Sequence, residues 1–136
     1  MNNTIKENPV LTKAISMVIA DKVEEPVLLD LRSYNSILDE FLIICTCKSE
    51  AQMRTILSRL KKWLSSNGEK KIQVDYSPGV KWGILSCSEF VLHIFEKSTR
   101  DYYSLERLWG EENLTSIDPE DYKQDLEETT DEHEFL

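Results

Sequence analysis

Two stretches of the chain repeat apolar residues at the 3.6-residue spacing of an amphipathic helix. The first begins at Asn8-Pro9, a cap residue followed by proline at the first helical position, and runs to about Val23. The second begins at Ser49, the first residue of a capping box, and stops at Asn67-Gly68. Its apolar stripe is Met53, Ile56, Leu57, Leu60 and Leu64. These patterns predict two helices, each with one buried face.

Five short runs outside these helices have the length and composition of β-strands. Two are continuous apolar runs, typical of strands buried on both faces, and one alternates like a half-buried strand. The last two are separated by Ser88-Glu89 and resemble the arms of an antiparallel hairpin. The five runs are residues 27–31, 41–46, 71–75, 82–87 and 90–96.

A short third helix is predicted near Tyr102, capped by Ser98 with Asp101 three residues later. The order of elements is then α-β-β-α-β-β-β-α. This order predicts an α/β (α+β) sandwich with a mixed sheet of about five strands.

The acidic residues are concentrated at one end of the chain. Residues 110–136 hold eleven Asp or Glu and one Lys, a charge of −10, whereas residues 1–109 carry +1, so the total is −9. We therefore expect one domain over residues 1–109 and an acidic tail, disordered or weakly helical, over residues 110–136. Neither part has the strongly basic face expected of a protein that binds nucleic acid through its phosphates, so direct sequence-specific nucleic-acid binding is not expected. No apolar run is long enough to cross a membrane.

The three cysteines predict buried thiols rather than a metal site. Cys45 and Cys47 share one strand face and could join Cys87 and His93 around zinc, but their spacing differs from the C-x-x-C pairs of zinc ribbons. Without an apparent secretory signal, reduced thiols and a cytoplasmic location are expected. His93 lacks a recognisable nucleophile, so a structural or interface role is favoured over general-base catalysis.

Carboxylates beside predicted strands leave an enzymatic alternative open. Asp30, Asp39 and Asp75 could gather around Mg²⁺ in a divergent nucleotidyltransferase. However, the four glycines form no phosphate-binding motif. The sequence therefore favours a protein without catalytic activity or cofactor.

The segment 100–109 has a different composition, crowding two tyrosines, two leucines and a tryptophan among alternating charges. Large aromatic residues with arginine are enriched in binding hot spots. The alternative is that these residues close the core after the last strand, and composition does not decide between the two.

Three segments form one ordered pattern: Trp82-Gly83-Ile84-Leu85, Val91-Leu92-His93-Ile94-Phe95 and Tyr103-Ser104-Leu105-Glu106-Arg107-Leu108-Trp109. In this order and at these distances they resemble the RsfS/Iojap family of ribosomal silencing factors. Upstream, Leu29-Asp30-Leu31 and the run from Ser36 to Ile44 are similar to weaker family segments. The resemblance covers roughly residues 9 to 109.

This resemblance implies a nucleotidyltransferase-like fold without the catalytic signature. It further implies binding to ribosomal protein uL14 on the large subunit, which obstructs joining of the small subunit and lowers translation when nutrients are scarce. Some members are homodimers, so the oligomeric state is left open, as is a generic interaction module with another partner. The residues expected to form or support the binding face are Tyr103, Leu105, Glu106, Leu108, Trp109, Trp82, His93, Asp39 and Glu89.

Overall fold

The computed structural model describes residues 8–32, 41–76, 79, 81–108 and 111–122. Their elements, in chain order, are α1 (Pro9–Ala20), β1 (Glu24–Asp30), β2 (Phe41–Thr46), α2 (Glu50–Ser66), β3 (Gln73–Asp75), β4 (Trp82–Ser86), β5 (Phe90–Phe95), α3 (Lys97–Tyr103), α4 (Leu105–Leu108) and β6 (Leu114–Ser116). Single 3₁₀ turns, Glu111–Asn113 and Pro119–Tyr122, flank β6.

The strands form one six-stranded mixed sheet in the order β3-β4-β5-β2-β1-β6. The β2–β5 pair is parallel and the other pairs are antiparallel. All six residues of β2 are buried because this strand has neighbours on both sides and side chains packed on both faces. The predicted α+β fold class is therefore confirmed.

Helices α1 and α2 cover one face of the sheet. Asn8 caps α1 by accepting the amide of Leu11, and Ser49 caps α2 by accepting the amide of Gln52. Close packing on β4 depends on Gly83, where a Cβ atom would lie 2.8 Å from Leu57 Cδ1. The buried cluster on this face includes Leu11, Ile15, Met53, Ile56, Leu60, Phe90 and Leu92.

The opposite face of the sheet carries a second, smaller buried cluster. It consists of Val27, Leu29, Leu31, Leu42, Ile44 and Phe95. Along β5, Phe90, Leu92 and Ile94 belong to the helix side, whereas Val91 and Phe95 pack on this second cluster. Side chains along β5 therefore alternate between the two faces of the sheet.

The predicted tail differs from the structure over residues 111–122. Instead of disorder or weak helix, Leu114–Ser116 pairs with β1, and the amide of Ile117 donates to the carbonyl of Pro26 at 3.0 Å. Ile117 and Tyr122 are buried in the cluster on the helix side. The expected disorder is wrong for these residues because edge pairing and two apolar anchors offset their charge, while residues 123–136 lie outside the described part.

Smaller differences concern element ends. Strand β1 starts at Glu24, three residues before its apolar run, and a bulge lies between Glu24 and Val27. Helix α3 starts at Lys97 with Glu96 at the cap position and without a side-chain cap, so the prediction that Ser98 caps it is wrong.

We expect Tyr122→Ala to lower the free energy of unfolding by about 3 kcal/mol, because it removes a buried aromatic ring. Tyr102→Ala is the matched control: this ring is 82% exposed, and its loss should cost less than about 1 kcal/mol. Urea unfolding followed by circular dichroism measures both. Equal effects would show that residues 117–122 do not contribute to the core.

Candidate functional site

Helices α3 and α4 leave part of the second sheet face uncovered. Leu105 packs against the second cluster, whereas Tyr102, Tyr103 and Leu108 are 82%, 51% and 66% exposed. These three are the large hydrophobic residues that the described part of the chain exposes. Exposed aromatic and aliphatic side chains grouped on one side of a protein are typical of a binding surface. We call Trp82, His93, Tyr102, Tyr103 and Leu108 the aromatic face.

Trp82 and His93 form the centre of the aromatic face. Trp82 pairs with Phe95 and Ile84 pairs with His93, so the two rings are diagonal neighbours on adjacent strands. The indole Nε1 of Trp82 donates to Nδ1 of His93 at 3.1 Å. The Trp82 ring also lies 4.8 Å from the rings of Phe95 and Tyr103, measured between centroids. These contacts restrict Trp82 to one orientation before any partner arrives.

Burial lowers the pKa of His93 from its ordinary value of 6.5 to about 4, because the charged ring loses solvation. The imidazole is therefore neutral at physiological pH. Since Nδ1 accepts the hydrogen bond from Trp82, the ring proton is assigned to Nε2. Nε2 has no hydrogen-bond partner among the described residues, so its N–H can donate to an acceptor on another molecule.

Arg100 fixes the position of α3 and α4 on the sheet. Its side chain is buried, and Nη1 donates to the carbonyl of Glu25 at 2.8 Å and to Oγ1 of Thr46 at 2.9 Å. Nε donates to Glu106 at 3.3 Å, which also ties α4 to α3. No sequence pattern predicts this role, because Arg100 stands among exposed charges in a short helix.

A cleft of about 340 Å³ opens beside the aromatic face. Trp82, Tyr102 and Tyr103 supply its aromatic surface, while Lys81, Ser98 and Thr99 supply polar groups. Such a cleft has room for one large side chain of a partner. Tyr102 was not among the binding residues expected from the sequence, although its neighbour Tyr103 was.

The structure brings together only part of the predicted binding set. Trp82, His93, Tyr103 and Leu105 lie on or under the second sheet face, and Glu106 is held by Arg100. Leu108 is exposed at the end of α4, three residues after Leu105.

Glu89 lies elsewhere, in the β4–β5 turn at the far end of the hairpin from Trp82, where it accepts from Asn8 Nδ2 at 3.0 Å. Asp39 and Trp109 fall outside the described residues.

The alternative zinc site is not assembled. Cys45 and Cys47 are buried on the helix side of the sheet, whereas His93 faces the other side. Burial raises the pKa of Cys45 to about 12, which opposes the thiolate form that binds zinc. Among the described residues, no three His, Cys, Asp or Glu side chains are placed to hold a metal ion.

The carboxylates of the alternative magnesium site are also separated. Asp30 ends β1 and Asp75 ends β3, which are four strands apart in the sheet, a separation of about 19 Å at the usual strand spacing. Arg32 donates two side-chain hydrogen bonds to Asp30 and lowers its pKa.

Over the described residues, no helix is both long and apolar enough to cross a membrane.

We expect Arg100→Ala to lower the free energy of unfolding by about 2–4 kcal/mol, because Thr46, Glu106 and the Glu25 carbonyl would lose their donor. Arg107→Ala removes an exposed arginine nearby and should cost less than about 0.5 kcal/mol. Urea unfolding compares the two variants. Similar costs would mean that the guanidinium does not anchor the helices.

The lowered pKa of His93 predicts a pH dependence of stability. The unfolded chain binds the proton more readily, so the stabilisation is complete above pH 6.5 and is lost as pH falls towards 4. The loss due to His93 is at most about 3 kcal/mol. Unfolding of the protein and of His93→Gln should be measured from pH 7 to pH 4. Parallel curves for the two would contradict the burial of a neutral imidazole.

Comparison with known proteins supports one assignment. The RsfS family model, described as ribosomal silencing factor during starvation, matches residues 3–135. Ribosomal silencing factor RsfS of Halalkalibacterium halodurans is 33% identical over 101 residues, covering 74% of this chain and 86% of the relative. That of Bacillus subtilis is 30% identical over 109 residues, covering 79% and 92%.

Solved structures agree with the sequence comparison. A crystal structure from Bacillus halodurans is similar with a TM-score of 0.64 and 30% identity, covering 80% of this chain and 96% of the other. One from Chromobacterium violaceum, with a TM-score of 0.68 and 24% identity over 81% and 88% of the chains, supports the fold. The chain therefore belongs to the RsfS family of ribosomal silencing factors.

Proposed function

We propose that this protein binds ribosomal protein uL14 on the large ribosomal subunit through the aromatic face. The bound protein obstructs joining of the small subunit and so represses translation in the cytoplasm when nutrients are limited. The observation that carries the proposal is the exposure of Tyr102 and Tyr103 beside the hydrogen-bonded Trp82–His93 pair, with exposed Leu108 on the next helix. Membership of the RsfS family supports the ribosome as the partner of this surface.

The geometry of the aromatic face favours tight association without chemistry. Tyrosine and tryptophan contribute large contact areas and lose little conformational entropy on binding, because few torsions are free. Trp82 is already held by His93, Phe95 and Tyr103. The cleft beside it offers a receptacle for one partner side chain. A rigid apolar surface with a cleft is sufficient for steric inhibition, because such inhibition requires only that the protein occupy its site on the large subunit.

Charge on this side of the molecule would contribute specificity and association rate. The side chain of Asp101 is 67% exposed, and among the described residues its ion-pair contact is a long one, 3.9 Å to Lys97. Glu106 is instead committed to Arg100. A basic partner surface would therefore meet Asp101 first, and such pairs affect the rate of association more than affinity.

We expect Tyr102→Ala/Leu108→Ala to raise the Kd for purified uL14 roughly thirtyfold, the equivalent of two losses of about 1 kcal/mol each. The variant should remain folded, because both side chains are mostly exposed. Thr55→Ala/Ser66→Ala, on the solvent side of α2, is the control and should bind as the unmodified protein does. Calorimetric titration with uL14 measures all three proteins.

Sucrose-gradient sedimentation then connects binding to function. The protein should migrate with the large subunit and reduce 70S particles when the small subunit is added, and the double variant should do neither. Normal uL14 binding by the folded double variant would reject the aromatic face. Migration with the large subunit but undiminished 70S formation would reject steric inhibition.

A further inference from the structure

The solvent side of α2 has an unusual composition for this chain. Twenty-five of the 136 residues are acidic, yet none of the eighteen residues from Ala51 to Gly68 is. The residues of α2 that are fully exposed comprise cations, hydroxyl side chains and one alanine: Ala51, Arg54, Thr55, Ser58, Lys61, Lys62, Ser65 and Ser66. Cations and hydroxyls without carboxylates are the side chains that contact nucleic-acid phosphates.

Contacts of α2 determine which way its cations are directed. Gln52 donates to the carbonyl of Asp21, and Arg59 pairs with the Asp21 carboxylate, so this side of α2 faces the end of α1. Glu50 lies on the other side, where it accepts from Tyr76 Oη at 2.6 Å and from the Gly79 amide at 3.0 Å, just after β3.

Arg54 and Lys61 follow Glu50 by four and eleven residues, and therefore lie on the same side of the helix as Glu50. That side borders β3, which is an edge strand of the sheet. Lys70 and Lys71, both exposed, immediately precede this strand. We call Arg54, Lys61, Lys70 and Lys71 the basic flank.

The acidic groups near the basic flank are largely committed to other partners. Glu50 is held by Tyr76 and Gly79, and Glu69 accepts from the Ser88 hydroxyl and the Lys71 amide. These hydrogen bonds lower the pKa of both carboxyls. Asp75 on β3 is the remaining described acid on this edge. With the three carboxylates counted, the four cations of the flank leave a local charge of +1 in a chain whose total is −9.

We propose that the basic flank contacts the phosphate backbone of large-subunit RNA beside the protein to which the aromatic face binds. This inference rests on the proposed function, because the aromatic face brings the flank to the ribosome. Trp82 lies on β4, the strand next to β3, so the aromatic face and the flank occupy opposite faces of the sheet at neighbouring strands. Contact with phosphates alone carries no base sequence information.

The test compares salt dependence of binding to two partners. Kd is measured for intact large subunits and for isolated uL14 over a series of potassium chloride concentrations at constant magnesium. Each cation that contacts a phosphate adds roughly 0.7–0.9 to the slope of log Kd against log salt concentration. We expect Arg54→Gln/Lys61→Gln to reduce the slope for large subunits by about 1.5 and to leave the affinity for uL14 unchanged.

Lys22→Gln/Lys62→Gln is the charge-matched control. Both lysines are exposed but lie away from the β3 edge, Lys22 after α1 and Lys62 on the outer surface of α2. This variant should keep the original slope for large subunits. An equal reduction in both variants would overturn the proposal, since net charge rather than the flank would then set the salt dependence.

The remaining outcomes separate this inference from the proposed function. If Arg54→Gln/Lys61→Gln binds large subunits with an unchanged slope, the RNA contact alone is overturned. That result is expected if the acidic residues 123–136 of the same chain occupy the flank. A reduced slope without affinity for uL14 supports the RNA contact and overturns the uL14 assignment. Failure of the unmodified protein to bind large subunits overturns both.

Discussion

The side of this protein that carries the aromatic face depends on the contacts of the buried Arg100 guanidinium. Helix α4 has four residues and α3 has seven, too few for either to be stable without tertiary contacts. Arg100 supplies such contacts at the start of β1, at the end of β2 and on α4. The exposed positions of Tyr102, Tyr103 and Leu108 are consequences of this attachment. The residue that matters most for the geometry of the surface is therefore hidden beneath it.

The burial of strand β2 on both faces explains how one sheet can support a large core on one side and a partly uncovered surface on the other. The strand contributes Phe41, Ile43 and Cys45 to the helix side and Leu42 and Ile44 to the second side. The larger cluster on the helix side, covered by α1 and α2, supplies most of the stability. The second side can then remain partly uncovered, because its smaller cluster does not have to stabilise the fold alone.

The elements that were predictable from the sequence are those with internal periodicity. The apolar stripes of α1 and α2 and the alternation of β5 are visible in the local sequence. The continuous apolar runs of β1 and β2 indicate strands buried inside the sheet. Strand β6 has three residues, too few for a pattern, and its pairing depends on the free edge of β1. Tyr122 is a single aromatic residue among acids. Its burial results from tertiary packing, and no local sequence pattern predicts it.

The candidate site was predictable to the extent that it follows from strand geometry. The alternation of β5 separates His93 from Leu92 and Ile94, but only the β4–β5 register makes Trp82 its diagonal neighbour. The roles of Arg100 and Glu89 could not be deduced, because each depends on partners distant in sequence: Thr46 and Glu25 for Arg100, Asn8 for Glu89. Charged side chains have no periodic signature that separates a buried ion pair from a solvated one.

Basic and acidic residues lie at opposite edges of the sheet. This separation of charge would orient the molecule near a charged partner, which its apolar surfaces alone would not do. The basic flank borders β3 at one edge of the sheet, and the acidic residues 111–122 border β6 at the opposite edge. Near RNA, this arrangement favours an approach with β3 leading, because the acidic edge is repelled by phosphates. The aromatic face includes Trp82 on β4, the strand next to this edge, so electrostatic orientation and the proposed apolar docking would act on the same approach. The proposed inhibition by occupancy needs a defined orientation as much as it needs affinity.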